Sequence, residues 1–237
     1  MLRPWIVRLV HVFRQTVNVY EEMVMTGLKL YLLRHGETEA SRDGGYCGRS
    51  DPDLTETGRH MAEDFAKAYQ DHPWAGIYAS PMRRAIATAA PLCSGCKREP
   101  QLRDGLRELD FGEWEGRTFA QARQEFADDY LRWLADAGWN APTGGERGID
   151  VARRALAVLD EIQKSHGQGD VLVVSHKATI RILLCSMMGI DIGNYRDRIA
   201  VATASLAIVE FHEHGPLLTR LGDRSHLRQE LRNLAGT

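Results

Sequence analysis

Two histidines stand directly after short apolar segments. His35 follows "YLLR" and His176 follows "LVVS". Each segment has the pattern of a buried strand, and each histidine opens a turn. A lone histidine at a strand end is more often a capping or surface residue than a functional one. If the two strands are parallel neighbours, however, both imidazoles lie at the carboxyl edge of one sheet, where α/β proteins place their sites.

Arginines near these histidines suit a phosphate-like anion. Arg34 directly precedes His35, and Arg83 and Arg84 open a predicted helix in "SPMRRAIATA". A helix N-terminus favours anions, and a guanidinium binds phosphate through two parallel hydrogen bonds. Taken alone, Arg83 and Arg84 are equally consistent with a solvated helix face.

A proton donor would have to come from another segment, and "LRELDFGEWEG" is the best candidate. It holds four carboxylates, of which most are expected to be solvated: Glu108, Asp110, Glu113 and Glu115. An acid in the site could protonate a leaving oxygen.

Six segments, taken in order, resemble the histidine phosphatase superfamily, the phosphoglycerate mutase-like enzymes. They are "LLRHGET" at 32–38, "DPDLTETG", "SPMRRAIATA", "LRELDFGEWEG", "TGGE" and "VVSH". The first segment is the most specific, and the resemblance covers roughly residues 28–212.

The resemblance implies a role for each matching residue. His35 would be the nucleophile, Glu108 the proton donor and His176 the second histidine of the site. Arg84, which directly precedes an alanine, would bind phosphate together with Arg34. The predicted substrate-binding set is Arg34, Gly36, Glu37, Thr38, Ser41, Arg84 and Lys177.

These residue types fit covalent phosphoryl transfer. A neutral imidazole attacks phosphorus, and water then hydrolyses the phosphohistidine. Fixed positive charge is expected from Arg34, Arg84 and a protonated His176. The leaving alkoxide takes a proton from Glu108. No metal ion and no cofactor are expected, because the cations supply the charge.

The segment "ELDFGEWEGRTF" resembles the phosphatase branch, with its broad-specificity, α-ribazole and phosphoserine phosphatases. Mutases carry a longer segment that starts like "ERHYG". The sequence therefore predicts a metal-independent phosphomonoester hydrolase acting on a small phosphorylated metabolite. A cofactor-dependent phosphoglycerate mutase and a catalytically idle phosphate-binding regulatory protein remain as alternatives.

Three positions depart from the family pattern. Ser41 replaces the usual asparagine, Arg147 replaces a serine after "GGE", and Lys177 replaces a glycine after the second histidine. Lys177 either narrows the pocket or adds a charge to it, unless only its backbone faces the phosphate. Arg147 and Lys177 would suit a substrate with a second acidic group, but solvated side chains explain them equally well.

The elements that must position these residues alternate between strand and helix. This order predicts an α/β three-layer sandwich, with a mostly parallel central sheet and helices on both faces. Helices are predicted over Thr55–Tyr69, Thr118–Ala137 and Ile149–Lys164. Two more are predicted, one with Pro81 in its first turn and one that starts directly after His176. A short strand is predicted near Arg98–Leu102, and "TASLAIVEF" is predicted to be the last strand.

Length, charge and composition limit the classes of protein to which the chain can belong. A chain of 237 residues with a net charge of −2 suits one domain plus an extension and gives no electrostatic footprint for nucleic acid. Cys93 and Cys96 form a lone C-x-x-C, which is read as thiols at a helix end rather than a metal site. The composition suits a reducing cytoplasm, and no apolar run reaches the roughly 18 residues of a membrane span.

Residues 1–27 are read as an N-terminal extension, and residues 28–237 as the catalytic domain. The extension has the spacing of an amphipathic helix. It could dock on the domain or on a second subunit, lie on a membrane surface, or reflect a start codon assigned too early. A homodimer is left open.

Overall fold

The computed structural model describes residues 27–234, which include a six-stranded sheet. Its strands are β1 (Leu28–Arg34), β2 (Trp74–Ala79), β3 (Gln101–Leu102), β4 (Gly169–Ser175), β5 (Leu206–His212) and β6 (Gly215–Asp223). Their order is β3-β2-β4-β1-β5-β6. The first four are parallel, and β5 and β6 pair antiparallel at one edge. The prediction of a mostly parallel sheet is confirmed.

The helices are α1 (Glu39–Asp43), α2 (Glu56–Tyr69), α3 (Arg83–Cys96), α4 (Phe119–Glu125), α5 (Ala127–Ala135), α6 (Gly148–Ser165), α7 (Lys177–Met188), α8 (Tyr195–Arg198) and α9 (Gln229–Arg232). Short 3₁₀ turns span Asp104–Leu106, Gly112–Trp114 and Ile192–Asn194.

Successive residues of β1 point into two different cores. Leu32 belongs to a buried cluster with Ala155 of α6 and Leu183 of α7. Leu33 belongs to another cluster, with Phe65 of α2 and Leu92 of α3. Because side chains alternate across a strand, the sheet is covered by helices on both faces. The predicted three-layer sandwich is confirmed.

The two histidine-bearing strands are neighbours in register. β1 and β4 pair in parallel, with Arg34 opposite Ser175. The backbone N–H of His35 donates to the carbonyl of Ser175 at 3.0 Å. His35 and His176 therefore follow the carboxyl ends of adjacent strands, as the sequence predicts.

Some predicted boundaries are wrong. Pro81 lies before α3 rather than in its first turn, because Met82 is extended (φ −73°, ψ 138°) and the helix begins at Arg83. The helix predicted over Thr118–Ala137 is two helices, because Phe126 leaves the helical conformation between them.

Several described elements are additional to the prediction, among them helix α1 and strand β6. Helix α1 lies in the stretch "HGETEASRDGGYCGRSDPD", whose many Gly, Asp and Ser residues predict a loop. Thr38 and Ser41 form a capping box at its start. Strand β6 forms a hairpin with β5, so "TASLAIVEF" is not the last strand. Most side chains of β6 are exposed, which removes the apolar signal that marks the other long strands.

Cys93 and Cys96 are free thiols in the last turn of α3, as the sequence predicts. Between Gly27 and Leu234, no helix combines the length and the apolar character needed to cross a membrane. The predicted extension at residues 1–27 lies outside the described residues, apart from Gly27.

Candidate active site

His35 is buried at the carboxyl end of β1 in a defined tautomer. Its Nδ1 lies 2.7 Å from the carbonyl oxygen of Gly36. Since a carbonyl only accepts, Nδ1 carries the proton and Nε2 keeps its lone pair. Burial, followed by the positive charges of Arg84 and Arg34, holds the pKa of His35 well below its usual range. The imidazole is thus neutral and can act as a nucleophile.

The turn after His35 is fixed by a close backbone approach. The N–H of Gly36 donates to Thr88 Oγ1 at 3.0 Å. A Cβ on Gly36 would lie 2.5 Å from the carbonyl oxygen of Gly58. Glu37 accepts from Thr55 Oγ1 at 2.8 Å, where Thr55 caps helix α2. This placement suits holding the turn rather than contacting substrate.

His176 lies beside His35, with ring centroids 5.2 Å apart. Arg84 Nε donates to His176 Nδ1 at 3.2 Å, and His176 Nε2 lies 2.8 Å from Ser80 Oγ. Because a guanidinium only donates, Nδ1 accepts, and the proton is on Nε2.

The predicted positive charge on His176 is not seen in this arrangement. Burial, then Arg84 and His35, holds the pKa of His176 well below its usual range. The imidazole is neutral here because the cations around it oppose a further positive charge.

Arg84 is fully buried, and a loop wraps its guanidinium. Nη1 donates to the carbonyl of Ser50 at 2.7 Å and to Asp51 Oδ1 at 3.3 Å. Nη2 makes longer contacts, with the carbonyls of Gly48 at 3.2 Å and Cys47 at 3.4 Å. Five oriented contacts fix the direction of the guanidinium.

Arg83 differs from its neighbour, as the resemblance implies. It is exposed and pairs with Asp51 and Asp53. On the other side of His35, Arg34 is buried and donates to the carbonyl of Val201 at 2.8 Å. Burial lowers the pKa of Arg34 to about 9, so the group is still charged at neutral pH.

Glu108 lies against the N-terminus of α7, the helix that follows His176. Its Oε1 accepts from the N–H groups of Leu109 at 2.9 Å and Thr179 at 3.2 Å. Its Oε2 accepts from the N–H of Ala178 at 3.2 Å. The first turn of a helix offers unpaired N–H groups, and these hold the carboxylate in the site.

Another acid of the same segment supports the site indirectly. Glu115 accepts from the backbone N–H groups of Gly48, Arg49 and Ser50 at 2.8, 2.9 and 3.1 Å. That loop holds Arg84. The sequence predicts that most of these acids are solvated. Glu115 could not be singled out, because its partners in that loop lie more than 60 residues away along the chain.

Arg154 was also missed. Its Nη groups donate to the carbonyls of Arg107 at 2.7 Å and Glu108 at 3.1 Å. Its Nε donates to Glu146 Oε1 at 2.8 Å, so the glutamate of the "TGGE" segment holds Arg154 in place. Arg154 therefore fixes the backbone that carries Glu108.

A cavity of about 240 Å³ opens between these elements. The predicted residues that line it are Arg34, His35, Thr38, Ser41, Arg84, Glu108 and Lys177. Gly36, Glu37 and His176 are not among the residues that line it. Arg181, Tyr195 and Arg196 line it without having been predicted.

The three residues that depart from the family pattern lie in different surroundings. Lys177 lines the cavity, so it adds an ionisable amine to the pocket. Arg147 instead pairs with Asp150 at 2.7 Å in the first turn of α6, away from that wall. Ser41 donates to the carbonyl of Thr38 at 2.9 Å within the capping box.

Within residues 27–234, no group of three or more His, Cys, Asp or Glu side chains is arranged to hold a metal ion. Arg34 and Arg84 place positive charge beside His35 in the cavity.

The chain is similar to known phosphatases. The family model of the histidine phosphatase superfamily (branch 1) matches residues 30–224. Phosphoserine phosphatase 1 of Hydrogenobacter thermophilus is 30% identical over 200 residues, which are 84% of this chain and 94% of that protein. The adenosylcobalamin/alpha-ribazole phosphatase of Escherichia coli is 30% identical over 162 residues, covering 68% of this chain and 80% of that protein.

A solved structure, that of Bacillus stearothermophilus YhfR, superposes with a TM-score of 0.79 at 30% identity. The match covers 85% of this chain and 100% of that one.

Proposed function

This chain belongs to branch 1 of the histidine phosphatase superfamily, and from that membership we propose that it hydrolyses phosphomonoesters of small metabolites through a phosphohistidine intermediate. The observation that carries the proposal is the neutral His35, with its Nε2 lone pair, beside two buried arginines and the carboxyl group of Glu108 in one cavity. The phosphatase relatives support the reaction class.

In the first step, His35 Nε2 attacks phosphorus. The N–P bond forms as the P–O ester bond breaks, and the leaving oxygen takes a proton from Glu108. Oε2 is the donor atom we favour, because it accepts one backbone hydrogen bond whereas Oε1 accepts two. Arg34 and Arg84 offset the charge on the equatorial oxygens.

Arg84 can exchange partners without losing its orientation. Its Nη2 contacts with the carbonyls of Cys47 and Gly48 are its long ones, at 3.4 and 3.2 Å. A phosphoryl oxygen is the stronger acceptor, since hydrogen bonds between two charged groups are shorter and stronger. The shorter bond to Ser50 then keeps the guanidinium in place.

In the second step, water attacks phosphorus and gives its proton to Glu108. The N–P bond breaks, and inorganic phosphate leaves His35 neutral. A positive charge on His176 would require a solvent proton on Nδ1 and the release of the hydrogen bond from Arg84 Nε. The bound phosphoryl group favours this change, since an opposite charge raises the pKa of a histidine. The cations carry the charge compensation, so the proposed reaction is metal-independent.

A hydrolysis assay with p-nitrophenyl phosphate tests the proposal. We expect turnover that persists after treatment with EDTA, and that is unaffected in the control His214→Ala, whose side chain is 91% exposed. Lack of hydrolysis would favour a regulatory phosphate-binding protein. Isomerisation of 3-phosphoglycerate stimulated by 2,3-bisphosphoglycerate would favour a mutase.

A further inference from the structure

Three cationic side chains line the cavity in addition to the phosphate-binding arginines. Lys177 and Arg181 stand four residues apart on α7, so they share one face of the helix. Arg196 enters from α8. Two separate elements thus direct positive charge to the same wall.

These cations lack counter-charges. Within the described part of the chain, no carboxylate lies within 4.0 Å of the charged group of Lys177, Arg181 or Arg196. Arg181 Nε is buried and has no hydrogen-bond partner among those residues. By contrast, arginines outside the cavity are paired, as Arg154 is with Glu146 and Arg147 with Asp150.

The carboxylate of Glu108 offsets this charge only in part: it acts on Lys177 and Arg181 from a distance and forms no ion pair with them. Its oxygens are held by the backbone N–H groups of Leu109, Ala178 and Thr179. Burial, then repulsion by Arg34 and Arg181, lowers the pKa of Lys177 to about 7. The charged form of this half-buried amine is stabilised by an incoming anion, because an opposite charge nearby raises the pKa of a lysine.

One member of the group is held rigidly by an aromatic ring. The guanidinium carbon of Arg196 lies 3.8 Å from the ring centroid of Trp133. Trp133 is itself buried and packs edge-on against Tyr46 at 5.9 Å. Stacking uses the flat face of a guanidinium, and its N–H groups at the edge can still bind a carboxylate or phosphate.

We propose that Lys177, Arg181 and Arg196 form a second anion subsite, which selects phosphomonoesters that carry a further oxyanion. The inference rests on the proposed function, because it describes the substrate of the same cavity. The transferred phosphoryl group is matched by Arg34 and Arg84. A carboxylate or second phosphate on the leaving group would then neutralise the remaining three cations.

Two matched substrate pairs test the inference and separate the two kinds of oxyanion. 3-Phosphoglycerate is compared with glycerol 3-phosphate, which has a hydroxymethyl group in place of the carboxylate. Fructose 1,6-bisphosphate is compared with fructose 6-phosphate. We expect kcat/KM to be about 10- to 100-fold higher for the doubly anionic member of at least one pair, the size typical of a charged hydrogen bond.

Variants assign the preference to this subsite. In Arg181→Gln and Arg196→Gln, the ratio of kcat/KM within the preferred pair should fall towards one. The control Arg153→Gln removes an exposed arginine of α6 that pairs with Asp150, and it should keep the ratio. Thermal unfolding checks the fold of each variant.

The outcomes separate the inference from the proposed function. Ratios near one in both pairs, with p-nitrophenyl phosphate hydrolysed, would overturn the second subsite and leave the phosphatase intact. A preference that survives both cavity variants would also overturn it. Failure to hydrolyse any ester, p-nitrophenyl phosphate included, would overturn both.

Discussion

The ring centroids of His35 and His176 lie 5.2 Å apart, yet their neighbours hold the two rings in opposite tautomers. The carbonyl of Gly36 fixes the proton of His35 on Nδ1, whereas Arg84 requires that of His176 on Nε2. The two histidines are therefore not interchangeable, although their strands end alike. The lone pair of His35 is available for attack, and that of His176 is occupied by Arg84.

Glu108→Gln should lower kcat for an alkyl phosphate by about 10²- to 10⁴-fold, the usual contribution of general acid–base catalysis. The effect should be smaller for p-nitrophenyl phosphate, whose leaving group needs less protonation. Inhibition by vanadate should be largely preserved, because the two arginines remain. The exposed neighbour Glu113→Gln is the control. Near-normal turnover of alkyl phosphates by Glu108→Gln would remove Glu108 from the role of acid.

Arg154 is predicted to be a positioning residue for Glu108. Arg154→Met loses the hydrogen bonds to the carbonyls of Arg107 and Glu108, and should lower kcat for alkyl phosphates more than for p-nitrophenyl phosphate. Arg154→Lys should restore part of the loss. Its exposed neighbour Arg153→Met should behave as the wild type. An equal loss on both kinds of ester would point to a structural role alone.

Gly36→Ala should destabilise the protein and impair the site together. The new Cβ would lie 2.5 Å from the carbonyl oxygen of Gly58, so either the turn after His35 or the start of α2 must move. Overpacking of this kind costs about 1–3 kcal/mol, which urea unfolding can measure. Gly167→Ala is the control, because a Cβ there meets no atom within 4 Å. Unchanged stability and turnover in Gly36→Ala would contradict the packing argument.

Stability should fall in mild acid, in part because of His226. Burial lowers the pKa of its imidazole to about 4, against about 6.5 in an unfolded chain. The folded state therefore favours the neutral form. This stabilisation is present above pH 6.5 and is lost as the pH falls from about 6.5 through 4.

His226→Gln should therefore reduce the drop in melting temperature between pH 7 and 4.5. The drop should not vanish, because His35 and His176 are also held neutral in the folded state. The exposed His214→Gln should leave the profile unchanged. A steeper loss of stability in His226→Gln than in the wild type would contradict the assignment.

The sequence predicts the site residues best where they directly follow an apolar strand. Apolar periodicity located the ends of β1 and β4, which carry Arg34, His35 and His176. The choice of Arg84 over Arg83 came from the resemblance to the histidine phosphatase superfamily. Arg154 could not be found in this way, because it acts through carbonyls more than 40 residues away and belongs to the polar side of α6.

The charge states and the pocket wall were equally hard to predict. The neutral form of His176 depends on its burial and on the nearby Arg84 and His35, none of which is visible in "VVSH". Arg181 and Arg196 read as ordinary helix residues, and only the docking of α8 beside α7 brings them to the same cavity as Lys177.

The most direct test of the account is to trap the covalent intermediate. A phosphomonoester labelled in its phosphate is mixed with enzyme, the reaction is quenched within milliseconds in alkali, where phosphohistidine persists, and the labelled peptide is mapped by mass spectrometry. We predict label on His35 in the wild type and accumulation in Glu108→Gln supplied with p-nitrophenyl phosphate, because water attack is slowed. His35→Ala should carry no label. Label on His176, or label that persists in His35→Ala, would contradict the assignment of His35 as nucleophile.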